Sequence, residues 1–210
     1  MQIRQESLTA KMTLKELAAN PPLLTADLVL VFGSVRRFSE SKLQNILRDR
    51  YPAAQIVGCT TSGEIQGNGV FDDSLQITAI QWHKTEQRVV HTRMNSMQSS
   101  FEVATNLAKQ LQTPSLRTVL LFSDGLHVNG SELLQGFQSV LGDIPIVGGM
   151  AGDNAAFENT LQICNNVISD HLVIAVGLYG DSLITASGAL GGWKPYGPPR
   201  KITKSDKNVV

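Results

Sequence analysis

The chain has 210 residues, 42% of them hydrophobic, which is ordinary for a globular protein and enough for one sizeable core or two small ones. Eighteen basic side chains stand against eighteen acidic ones with no long run of either sign, so neither a nucleic acid nor an anionic membrane is an expected partner. There is no run of eighteen apolar residues and no secretory-type apolar N-terminus, so a cytoplasmic location is expected; Cys59 and Cys164 lack metal-type spacing and are expected as reduced thiols.

The first strong element is "LVLVFGS", residues 28–34, an apolar strand run ending at Gly33 and Ser34. Arg36 and Arg37 follow and are expected in solvent. Leu43, Ile46 and Leu47 recur at helical spacing, and this helix must stop before Tyr51-Pro52, because proline disfavours helical geometry in the residue before it. "IVGCTTSGEI", residues 56–65, is a strand opening into a loop of small and polar residues. "SLQITAIQW" and "RVVHTRM" then predict a strand hairpin. Ser99 with Glu102 forms a capping box for a helix over about residues 101–112, with Phe101, Ala104, Leu107, Ala108 and Leu111 on one face.

"TVLLFSD", residues 118–124, begins the second half. Asn129 with Glu132 starts a helix whose Leu133, Phe137, Val140 and Leu141 share a face and which Gly142 stops. "IVGGMAGD" from Ile146 is the next strand and loop, and "HLVIAVGLYG" with "SLITASGAL" predicts a second hairpin. Phe32 and Phe122 are 90 residues apart, as are Ile56 and Ile146, so the chain carries an internal repeat. One residue lost before Glu64 and Asp153 makes those two carboxylates equivalent. The expected fold is an α/β mixed-sheet domain over residues 1–192, built from two strand-helix-strand-hairpin units at about 27–95 and 117–191. Residues 193–210, rich in proline and charge, read as a linker.

Ligands of open α/β sheets sit at the carboxyl ends of parallel strands, where backbone amides are free. The candidate binding residues there are Gly33, Ser34, Gly58, Cys59, Thr60, Thr61, Ser62 and Glu64 in the first unit, and Ser123, Asp124, Asn129, Gly148, Gly149 and Asp153 in the second. The two sets are expected to converge on a shared cavity, with Trp193 closing it; the alternative is a set of turns with satisfied local hydrogen bonds.

"SDGLHVNGSE" approximates a phosphate loop without its lysine. Cys59 is either a nucleophile or an inert buried residue, and Gly149 at its matching position favours the second. Glu64 and Asp153 either perform acid-base chemistry, bind an amino or amide group, or cap local amides. The four histidines form no metal-binding pair, and His127, in the loop after a strand, is the candidate axial ligand if the protein takes haem.

"IVGCTTSGEI", "LFSDGLHVNGSELLQGF", "IPIVGGMAGDN" and "GGWKPYGPP", in this order and spacing, resemble the N-terminal domain of the FIST family. The resemblance implies a non-enzymatic signal-input domain for a small ligand such as an amino acid, followed by a C-terminal FIST domain. It further implies partnership with a histidine kinase or cyclic-dinucleotide enzyme, and similarity to FIST haemoproteins that sense nitric oxide. The alternatives are a hydrolase-like enzyme using Cys59 or Ser62 with Glu64 or Asp153, and a purely structural interaction module.

Overall fold

In chain order the strands are β1 (Gln2–Leu8), β2 (Leu28–Gly33), β3 (Gln55–Thr60), β4 (Glu64–Gln66), β5 (Gly69–Phe71), β6 (Leu75–Gln81), β7 (Glu86–Arg93), β8 (Leu116–Ser123), β9 (Ile146–Met150), β10 (Gln162–Cys164), β11 (Val167–Ser169) and β12 (Leu172–Tyr179). The helices are α1 (Leu14–Ala19), α2 (Val35–Phe38), α3 (Leu43–Arg50), α4 (Ser100–Leu111) and α5 (Gly130–Leu141). The structure is a computed structural model that describes residues 1–95, 99–188 and 196–204. One mixed sheet has the order β1-β6-β2-β3-β10-β11, a second has the order β7-β12-β8-β9, and β4-β5 is a hairpin outside both.

Side-chain alternation along the strands stacks the two sheets face to face. Leu28, Val57, Cys59 and Ile80 of the first sheet meet Phe122, Ile174, Val176 and Leu178 of the second, with the Phe32 and Phe122 rings 5.7 Å apart. The opposite faces are helix-covered. Leu14, Leu17, Leu43 and Leu47 pack on Val29, Val31, Ile56 and Ile77, while Leu107, Leu111, Leu133 and Phe137 pack on Val119, Leu121, Val173 and Ala175. Each such leucine or phenylalanine contributes about 1.5–3 kcal/mol by leaving water. The expected α/β mixed-sheet class is therefore the observed one.

The caps read from sequence do their work: Ser99 and Glu102 close a reciprocal box on α4, and the Asn129 side chain accepts from the amides of Ser131 and Glu132 at the start of α5. The predicted hairpins do not form. β6 pairs with β1 and β2, and β7 pairs with β12 in the other sheet, so the chain crosses between sheets at the turn. That crossing is clasped by Trp82 Nε1 donating to Gln87 Oε1 and Gln87 Nε2 donating to the Asp27 carbonyl. In the second unit β7 and β8 already occupy both edges of β12, and the described residues 181–188 form no strand. Arg37 also departs from expectation. It is buried, and its guanidinium donates to the carbonyls of Thr9 and Met12 and to Glu40.

The two units pair in the same register. Val31 faces Gly58 across β2 and β3, and Leu121 faces Gly148 across β8 and β9, each pair 90 residues from its counterpart. At both glycines an added Cβ would lie 1.8 Å from the facing carbonyl oxygen, so the close approach of the parallel strands needs glycine twice. Beyond β9 the correspondence moves to 98 residues: Val31 faces Ile77 where Leu121 faces Ala175, and Ile65 faces Val70 where Ile163 faces Ile168. The counterpart of Glu64 is therefore Gln162 and not Asp153, because the second unit carries a longer connection after β9. Their side chains agree: Glu64 accepts from the Ser74 amide, Gln162 from the Leu172 amide.

Candidate functional site

The strand-end loops line two cavities where one was expected, the first joining loops of both units and the second built from the second unit. The first, of about 230 Å³, is lined by Ser34, Thr61, Glu64, Asp73, Asp153 and Asn154 among others. Its polar groups are already engaged. Ser34 caps α2 and donates to Asp73 Oδ1, and Arg36 pairs with the same carboxylate. Glu64 is buried and accepts from the hydroxyls of Thr61 and Ser74. Asp153 accepts from the amides of Phe157, Glu158 and Asn159; burial works to raise its pKa, and these amide donors outweigh it and hold the carboxyl below its ordinary value. Of the roles weighed for the two carboxylates, local capping is the one their contacts display.

The neighbouring residues are equally committed to the fold. A Cβ on Gly33 would meet the Leu75 side chain at 2.7 Å, and the Thr60 hydroxyl accepts from the Leu161 amide. Ser62 is exposed and accepts from the Asn154 amide. Cys59 lies in the core between the sheets, and burial pushes its thiol up to about 12. Among the described residues neither Cys59 nor Ser62 bonds a histidine or a carboxylate, the contact that would activate either as a nucleophile.

The second cavity, of about 480 Å³, opens between α5 and β9 at the carboxyl ends of β8 and β9. It gathers four of the sequence candidates, Ser123, Asn129, Gly148 and Gly149. Leu121, Val128, Leu133, Leu134, Ile146 and Met150 supply an apolar wall with no sequence signal of its own, since Leu133 reads only as core stripe. Ser123 is 1% exposed, and no described residue bonds its hydroxyl at the cavity wall. Asn129 spends its side-chain oxygen on the helix cap, whereas Ser131 Oγ remains available beside it.

Asp124 stands behind this loop as a tie. Its Oδ1 accepts from the amides of Leu126 and His127, at 2.8 and 2.6 Å, and lies 3.0 Å from His127 Nδ1. Its Oδ2 accepts from the Thr160 hydroxyl and the His171 amide. Burial works to raise the Asp124 pKa, but these donors hold it below its ordinary value. The His127 and His171 rings stack with centroids 3.9 Å apart, an arrangement with no sequence signal. Among the described residues no group of three or more His, Cys, Asp or Glu could hold a metal ion, and no helix is long and apolar enough to cross a membrane. Trp193 lies outside the described residues.

No curated protein matches the chain. Residues 27–210 match the FIST N domain, a sensor-type domain, leaving only β1 and α1 before the matched region, and the chain belongs to the FIST family.

Proposed function

We propose that this chain is the signal-input domain of a sensor and that its ligand is a small molecule held in the cavity between α5 and β9. The observation that carries the reading is Ser123, a buried residue that lines an apolar-walled space and whose hydroxyl bonds no described residue. A ligand acceptor or donor at this wall would give the hydroxyl a partner. About 480 Å³ is within the usual range for small-molecule sites. The mixture of an apolar wall with Ser123, Ser131 and the first turn of α5 suits an amphipathic metabolite of the amino-acid class. Occupancy acts as a signal if the ligand binds one arrangement of the β8-α5 loop better than another. The receiver of that signal, in this reading, is a C-terminal FIST domain coupled to a histidine kinase or cyclic-dinucleotide enzyme in the cytoplasm.

Nitric oxide sensing through haem at His127 is the narrower version. His127 Nδ1 on Asp124 is the orientation that leaves Nε2 for a metal. The ring, however, stands against Asp124 and His171, its side chain is half exposed, and the apolar cavity is lined by other residues. This donor fits, but its polar surroundings do not fit a porphyrin, and the ligand reading rests on Ser123 instead. Calorimetric titration with a panel of amino acids tests it. Saturable binding that falls about tenfold in Ser123→Ala and disappears in Leu134→Trp, with folding intact, is expected from loss of one hydrogen bond and of the cavity volume. Binding unaffected by both substitutions, or none across the panel, overturns it.

A further inference from the structure

The two units differ in one respect that their matched register makes plain. The outer edge of β3 is covered by the β10-β11 hairpin, in antiparallel register with Gln162 facing Cys59, Ile163 facing Gly58 and Cys164 facing Val57. The matching edge, on β9, is covered by nothing among the described residues. On β3 the backbone groups of Ile56 and Thr60 turn toward β10, since the Thr60 amide donates to Leu161 O and Ile56 O accepts from Asn165. On β9 the Pro145 carbonyl and the Ala151 amide turn toward β8, which leaves Ile146, Gly148 and Met150 directing theirs to the open side.

This edge also lacks the usual protection. β9 reads Ile-Val-Gly-Gly-Met, without charge or proline, and Val147 and Met150 are 41% and 44% exposed. In the same chain the counterpart of the β10-β11 hairpin, β4-β5, stands free with Ile65 69% and Val70 71% exposed. Its register is that of β10-β11, and Gly67 and Asn165 both take positive φ at the two turns, 57° and 54°. One molecule therefore carries both halves of a contact that it makes elsewhere once.

A molecule's own hairpin does not pair with its own β9. β4 follows β3 after only three residues, 61–63, and these are fixed against the loop after β9, where the Thr60 carbonyl accepts from the Gly152 amide and Ser62 accepts from the Asn154 amide. Glu64 also anchors the base of the hairpin to Thr61 and Ser74. We propose that the β9 edge is a strand-addition surface for a second copy of this chain, whose β4-β5 hairpin pairs antiparallel with it, Ile65 opposite Gly148. Ile163 opposite Gly58 is the template, and it is fully buried against the helix-covered face. Ile65 then borders the α5-β9 cavity, so pairing and ligand occupancy are linked, although the pairing itself does not depend on a ligand.

The test uses the 210-residue chain carrying Gln66→Cys and Val147→Cys together, the counterparts of Cys164 and Val57. Mild oxidation is expected to give a disulfide between two chains, read as a covalent dimer whose linked peptides contain positions 66 and 147. A disulfide within one chain, or no link between these positions, overturns the proposal. A second measurement, sedimentation of the unsubstituted protein and of Ile65→Asp, does not rely on the introduced thiols. A self-association weakened about tenfold or more by the substitution is expected for one buried isoleucine. A monomer at every concentration, or an association indifferent to Ile65→Asp, is the contrary result.

Discussion

Removing the carboxylate of Asp124 tests how the second cavity is held. Asp124→Ala takes the acceptor from three backbone amides, of Leu126, His127 and His171, and from the Thr160 hydroxyl. At roughly 1 kcal/mol for each hydrogen bond, with a further penalty for donors that water does not reach, the loss is about 3–5 kcal/mol. For a chain of this size each kcal/mol moves Tm by about 2–4 °C, so a fall of roughly 6–20 °C is expected. Asp124→Asn adds a pH signature. The folded carboxyl has a lowered pKa, so its contribution is present above the unfolded value of about 3.9 and is lost as pH falls through the folded value. Urea unfolding of wild type and Asp124→Asn should therefore show a gap at neutral pH that narrows on acidification below about pH 4. A gap that is constant with pH, or an Asp124→Ala variant within about 0.5 kcal/mol of wild type, would show that the Asp124 carboxylate does not hold this loop.

The duplicated glycine contact makes a paired expectation: Gly58→Ala and Gly148→Ala should each lower urea stability by about 3 kcal/mol or more, while Gly149→Ala, whose Cβ meets nothing within 4 Å, should be far milder. Because Gln162 occupies the place of Glu64 in the second unit, Glu64→Gln should leave Tm nearly unchanged, whereas Glu64→Ala should lower it by stripping the Ser74 amide of its acceptor. Cys59, buried with its thiol pushed up to about 12, should resist alkylation near pH 8 in the native protein and react once it is unfolded; fast native labelling would contradict its core placement.

Much of this organisation was legible in the residues. The apolar run from Leu28 to Phe32, the capping box at Ser99, and the glycines repeated at an interval of 90 are local signals with local causes. What was not legible is how strands choose partners. "SLQITAIQW" and "RVVHTRM" look like a hairpin, but a turn of few residues can equally carry the chain from one stacked sheet to the other. β10 has only Gln162, Ile163 and Cys164, too few residues for a periodicity, and its pairing with β3 is a contact across about a hundred residues. The cavity was half legible. Ser123, Asn129, Gly148 and Gly149 stand out as strand-end residues, whereas Leu134 and Met150 become lining only once α5 lies beside β9. Asp153 was misaligned with Glu64 because the longer connection after β9 hides the later correspondence at 98 residues.

Amide-resolved chemical-shift mapping of the protein against an amino-acid panel decides whether the α5-β9 cavity is the input site. One class of amino acid is expected to shift the amides of Gly130, Ser131, Gly148 and Gly149 saturably, with the same shifts missing in Leu134→Trp. Saturable shifts confined to Thr61, Gly63 and Asn154 around the first cavity, or no saturable shift from any member of the panel, would contradict it.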